Sequence, residues 1–310
     1  MDLGIVTSKI RRASGHGRTT IDGVPMLIRK GNIWFVDGSK AGSAGTSWDS
    51  SMSTMAKAFA KVGSGDTIYF TGKITEQLVS PVNVFDVRII GTGTRPRHSD
   101  SMLGGHTSEA HWASAGLVAA QANLRILQQG WHVENIMFSM IDADAAGIEV
   151  VRNAGSGDAE RDASHASIVG NRFSGAGVGV RGGATSFAEV CNHVLIEGNR
   201  FDTNTFGIKT AIISNYWSIR SNEFRNATNA ITADLGYGFI YDNIIVGFTA
   251  SGNSGGIDLR GSSAGLNVVT RNHLSGTYSH AGGYFEADST DEWAGNTNVL
   301  TGGITAALPG

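Results

Sequence analysis

Two aspartates and an arginine, Asp234, Asp258 and Arg260, are the side chains of this 310-residue sequence best spaced to do chemistry. They follow at matched offsets a recurring pair, a small residue and then an apolar one: Gly147-Ile148, Gly177-Val178, Gly207-Ile208, Ala230-Ile231, Gly256-Ile257 and Gly283-Tyr284. Two residues past the small one stand Glu149, Gly179, Lys209, Thr232 and Asp258; two further on stand Val151, Arg181, Ala211, Asp234 and Arg260. Stacked as strands, Asp234 and Arg260 would lie about 5 Å apart at the backbone. A carboxylate beside Arg260, with Asp258 as its partner, is equipment for hydrolysis or for elimination from a uronate. The competing reading is a solvated charged face whose pairs contribute ~0–1 kcal/mol each.

Other constellations are weaker. His98, Asp100, His106, Glu109 and His111 crowd one stretch, and His106 with His111 could hold a transition metal; without strand periodicity, however, the stretch reads as a surface insertion. Asp158, Glu160 and Asp162 alternate like oxygen ligands, but the glycine hinge and bidentate glutamate of a calcium loop are missing. Glu286, Asp288, Asp291 and Glu292 surround Trp293, which either stacks on a sugar ring or plugs the end of the fold. Gly91-Thr92-Gly93 lacks the third glycine and following helix of a dinucleotide site. Neither a metal nor a cofactor is assigned.

These groups sit on a repeat. Asn135, Asn171, Asn199, Asn222, Asn243 and Asn272 recur, with a degenerate seventh at Asn296. Three residues before most of them stands Ile168, Ile196, Ile219, Ile240 or Val269; two residues after stands Met137, Phe173, Phe201, Phe224, Ile245 or Leu274. Short strands, one coil per repeat and length variation confined to loops describe a parallel β-helix. The asparagines would then form a ladder at one turn, each amide bonding its own coil and the next. An antiparallel sandwich would not repeat Asn-x-Phe so often.

Upstream, Met52, Met55, Ala56, Phe59 and Val62 fall at helical spacing, which predicts a capping helix over about 49–62 with Asp49 or Ser50 as N-cap. Residues 1–31 read as an N-terminal arm whose Lys9, Arg11, Arg12 and Arg18 bind a partner surface. Residues 32–300 read as the β-helix domain, its ladder coils over about 131–298, and 301–310 as a tail.

Composition narrows the classes. Glycine makes up 43 of 310 residues, about twice the usual share, without a three-residue period, and proline only 4, so collagen and proline-rich disorder are excluded. Lys plus Arg is 24 against 27 Asp plus Glu, which disfavours nucleic acid and anionic membranes as partners. The single cysteine, Cys191, forms no internal disulfide. No apolar run is long enough to span a bilayer, and the first twenty residues do not read as a secretory signal.

Trp34-Phe35-Val36-Asp37, the Gly/Ser loop, the amphipathic helix and Gly65-Asp66-Thr67-Ile68-Tyr69 resemble the opening of right-handed β-helix proteins of the pectin-lyase-like superfamily. Val87-Arg88-Ile89-Ile90-Gly91 and Val133-Glu134-Asn135-Ile136 resemble its next coils. The resemblance implies an all-β, single-stranded right-handed parallel β-helix with an N-terminal capping helix. That superfamily mixes polysaccharide lyases, glycoside hydrolases, phage spikes and non-catalytic virion proteins. Its hydrolase signature is not matched: Gly15-His16-Gly17 carries one of its strings but lies in the leader. The chain most resembles phage virion-associated members. The expectation is a structural virion protein (capsid decoration, fibre or tail-associated spike), made in a host cytoplasm and homo-oligomeric, a trimer being one form such β-helices take. Its partners would be other virion proteins and host-surface polysaccharide. The alternatives are a polysaccharide depolymerase and a non-viral carbohydrate-binding module.

Overall fold

A run of three to five residues cannot bury a face alone, and this chain lays each run on its counterpart one coil earlier. The computed structural model describes residues 31–92, 110–114, 121–151, 163–183, 191–210, 214–249, 256–259, 265–277, 285–286, 290–300 and 303–306, with the leader strands Arg11–Arg12, Thr19–Ile21 and Val24–Met26. One coil contributes His132–Glu134, Met137–Ser139 and Ala146–Val150, one strand to each of three sheets. The first sheet has ten strands, from Ile33–Asp37 to Glu292–Ala294. The second has ten, beginning at Lys73–Thr75, and the third has eight, from Leu78–Val79 to Phe285–Glu286. Coil-to-coil pairing is parallel throughout the stack, as expected for a parallel β-helix.

Inward columns make the core. In the first sheet Ile68, Ile89, Val133, Ile168, Ile196, Ile219, Ile240 and Val269 follow one another in register, all fully buried. In the second, the rings of Trp112, Phe138, Phe173, Phe201 and Phe224 stack with centroids 4.7–5.8 Å apart. That stack explains the small residue of the repeat. A Cβ on Gly147, Gly179 or Gly207 would meet the Phe ring of the next coil at 2.5–2.6 Å. The third-sheet register, however, is Ile148↔Val180 and Glu149↔Arg181, so the second pair of the repeat is Gly179-Val180 rather than Gly177-Val178.

The amide ladder sits between the first and second sheets. Asn199, Asn222, Asn243 and Asn272 each donate Nδ2 to a carbonyl of the preceding coil and to the next asparagine's Oδ1, at 2.8–3.1 Å. Two memberships differ from expectation. Asn296 is a full rung, accepting from Asn272 and donating to the Val269 carbonyl at 2.9 Å. Asn135 is not a rung: Ile136 holds that position, its N–H bonding Asn171 Oδ1 at 3.0 Å, while Asn135 occupies the left-handed turn one residue earlier. A one-residue slip between Asn-Ile and Gly-Asn is invisible to spacing.

The ends also differ. The helix spans Met55–Phe59 and its N-cap is Thr54, not Asp49 or Ser50; Glu76 Oε2 accepts the Met55 N–H at 2.7 Å. Residues before it form turns that bond the first strand, with Met52 bridging Val36. Phe35 donates to the Gly45 carbonyl and Asp37 to that of Met52, bonding an edge that would otherwise be open. The helix buries Met55, Ala58 and Phe59 in the core, with Phe59 edge-on to Trp131 at 5.5 Å. Within the leader, three short strands form an antiparallel sheet, in which Arg11 and Arg12 pair with Thr20 and Thr19; Lys9 and Arg18 lie outside the described residues. The expected tail holds a strand, Gly303–Ala306, that folds back antiparallel on Thr297–Leu300.

Candidate functional site

The strongest site is a groove of about 630 Å³ on the outer face of the third sheet. Strand register builds its floor as two parallel strips. Ala122, Ala146, Val178 and Phe206 align as an apolar strip, and Arg125, Glu149, Arg181 and Lys209 as a charged one. Arg125 Nε lies 3.2 Å from Glu149 Oε2, and Arg181 Nη1 lies 3.9 Å from Glu149 Oε1. Arg181 Nη2 also donates to the Asp144 carbonyl. Glu149 is only 8 % exposed, so both arginines compensate its desolvation. Lys209 Nζ sits 4.2 Å from the centre of the Phe206 ring. Gln77, Gln121 and Thr205 add hydrogen-bonding side chains at the rim. Such a surface can hold a ligand with an apolar face and a hydroxyl- or carboxylate-bearing edge.

Asp258 belongs to the same outer column, with Thr232 between it and Lys209. Asp234 lies two residues past that column, where its N–H takes Thr210 Oγ1 at 2.7 Å and its carbonyl accepts from Ser214. Arg260 lies outside the described residues. Sequence reasoning gave Glu149 and Lys209 their correct face but put Arg181 in the wrong column, and it missed Arg125 because that coil precedes the recognised repeats.

Trp293 sits in register with Val269, half-buried against the core, at the end of the first sheet's inner column. Asp291 Oδ1 accepts both the N–H and Nδ2 of Asn267 at 2.9 Å, so one member of that acidic cluster continues a hydrogen-bonded corner. His98, Asp100, His106, Glu109, Asp158, Glu160, Asp162 and Asp288 lie outside the described residues. His111 is described: its Nε2 contacts Ser139 Oγ, and its pKa is lowered to about 4 by burial first and nearby Lys73 second.

A second surface was not anticipated. At the corner preceding the first sheet, His165, His193, Tyr216 and Tyr237 stack face to face with centroids 4.8–5.3 Å apart. These four and Leu266 have φ of 55–62°, the left-handed region, and all are exposed. Each such residue costs about 1–2 kcal/mol relative to glycine, and each ring pair returns about 0.5–1.5 kcal/mol.

Three sheets wound coil upon coil, closed by side-chain ladders, define a parallel β-helix protein. By sequence, residues 117–299 match the family described as periplasmic copper-binding protein (NosD). That is more than half of the chain, which therefore belongs to the NosD family. Among curated proteins none matches in sequence. Similar solved structures include Escherichia coli ybhc (9 % identity, TM-score 0.48, covering 93 % of this chain and 90 % of that one). Another is pectate lyase Pel9A (13 % identity, TM-score 0.39, 87 % and 77 %). A third is DFA-IIIase from Arthrobacter chlorophenolicus A6 (11 % identity, TM-score 0.37, 85 % and 79 %). Likenesses this faint set no function, and the fold is read from the strand register itself.

The described residues do not fit the copper in the family's description. Copper wants converging imidazole, thiolate or thioether donors. No three His, Cys, Asp or Glu side chains gather closely enough among the described residues. His165 and His193 stack with parallel rings, which turns faces rather than nitrogen lone pairs toward each other. Cys191 is buried.

Proposed function

We propose that this β-helix is a structural component of a virion (capsid decoration, fibre or tail-associated spike) that holds host-surface glycan in the third-sheet groove without cleaving it. The observation that carries the reading is the pairing of strips. A pyranose offers a C–H face to the apolar strip and hydroxyls or a carboxylate to Arg125, Arg181, Lys209 and the rim amides. Glu149 turns one oxygen to each arginine and so holds both guanidinium groups beside the apolar strip. The amide ladder and ring stack make the coil stiff along its axis, as a particle appendage requires. In this setting the leader's Arg11 and Arg12 contact a neighbouring virion protein, and the assembly is homo-oligomeric.

The test is binding of the full chain to hexagalacturonate and to bacterial surface polysaccharides, with reducing ends and unsaturated-sugar absorbance followed in parallel. Binding without cleavage, weakened at least tenfold in the Arg181→Glu/Lys209→Glu variant, is the expected result; unchanged binding overturns the groove assignment. The second reading, a depolymerase, is favoured by Asp258, which continues the charged column two coils beyond Lys209. Cleavage that disappears in Asp258→Asn would establish it.

A further inference from the structure

The strained aromatic corner is a surface the fold does not need. Gly130 occupies the same column with φ 72° and Asp86 with φ 58°, while the neighbouring turn column takes Gly170, Gly198 and Gly295 together with Asn135, Ser221, Asp242 and Arg271. Coil closure is therefore satisfied by glycine wherever glycine stands. Four stacked rings in left-handed conformations instead run along the outside, at a pitch of 4.8–5.3 Å. Left-handed residues are common to the turns of this coil; what sets this corner apart is the unbroken run of exposed rings.

The corner also forms one wall of a trough. Its other wall is the outermost column of the first sheet, where Ser167, Leu195, Ser218 and Phe239 follow in register. At the histidine end the trough deepens into a depression of about 400 Å³ lined by Asp86, Arg88, Gly130, His132, His165 and Ser167. At the tyrosine end Phe239 is 49 % exposed, beside Tyr216 and Tyr237 at 46 % and 44 %. The ring faces of the ladder cover one another, so it offers its edges, imidazole nitrogens and phenol hydroxyls, while Phe239 offers a platform.

The geometry points to a second glycan-binding site: an extended, uncharged oligosaccharide lying along the coil axis in this trough. Its hydroxyls bond the His165, His193, Tyr216 and Tyr237 edges, and one sugar stacks on Phe239. The ring pitch is close to the advance of one pyranose in an extended chain, so successive coils meet successive sugars. The serines keep the second wall low beside Leu195 and Phe239. This site rests on the glycan reading for its ligand class but uses none of the groove residues.

The experiment uses the full chain with cellohexaose and chitohexaose as uncharged probes and hexagalacturonate as the charged one. Tyr216→Gly/Tyr237→Gly removes two rings while keeping a residue suited to the left-handed turn, and Phe239→Ala removes the platform. At least one uncharged hexamer should bind, protect Tyr216 and Tyr237 from nitration and His165 and His193 from acylation by diethyl pyrocarbonate, and lose at least tenfold in affinity in either variant. Arg181→Glu/Lys209→Glu should leave that binding unchanged. No binding of either uncharged hexamer, or equal binding by the corner variants, overturns the trough. If hexagalacturonate still binds and responds to the groove variant, the groove reading survives; if nothing binds at all, both fall.

Discussion

Two turns of the same coil solve the same backbone problem in opposite ways. At the turn beside the amide ladder, left-handed φ is taken by Gly170, Gly198 and Gly295 and by Asn135, Ser221, Asp242 and Arg271. At the turn before the first sheet it is taken by Gly65, Asp86 and Gly130 in the first coils, and from there on by two histidines, two tyrosines and a leucine. The first turn guards a buried amide column, so conformational ease is what it needs. The second faces solvent, and its rings only about offset their own strain. One corner holds the molecule together; the other presents chemistry.

The sharpest break of this comparison is at a buried rung. Asn222→Ala removes the acceptor for Asn199 N–H and Nδ2 and the donors to Ile196 O and Asn243 Oδ1. It should cost about 3–4 kcal/mol in urea unfolding, because the buried partners are left unpaired. Next comes Gly179→Ala, which drives a methyl into the Phe201 ring and against the Gly207 carbonyl of the next coil, and should cost at least about 2 kcal/mol by the same measurement because a shift of the ring relieves only the first contact. Glu149→Ala in the groove leaves the partly exposed Arg125 and Arg181 without the carboxylate between them and should cost about 2 kcal/mol.

A titration separates His111 from these. Its folded pKa, lowered to about 4, lies below the unfolded value near 6.5. The unfolded chain therefore takes up a proton first as pH falls. Stability should decline from about pH 6.5 down to about pH 4, and His111→Gln should flatten that part of the profile. The smallest effect is expected at the exposed corner. Tyr216→Gly should change stability by less than about 1 kcal/mol, since relieved strain and lost stacking nearly cancel. Gly198→Ala at the other turn should cost about 1 kcal/mol. A large loss for Tyr216→Gly would make the aromatic corner a structural element and erase the contrast.

Period alone determined the coil. Isoleucines three before and phenylalanines two after recurring asparagines cannot face the same side of anything but a stack of short parallel strands. What spacing left open was register by one or two residues. That is why Asn135 and Gly177 were placed on the wrong column and Arg181 on the wrong strip, and why Asn296 looked degenerate. Only the tertiary structure decided which side chains share a surface. The groove draws Arg125, Glu149, Arg181 and Lys209 from four coils of unequal length, and the aromatic corner draws His165, His193, Tyr216 and Tyr237 from four turns. Neither set has a fixed sequence interval, because loop lengths vary freely between coils while the hydrogen-bonded stacking distance does not.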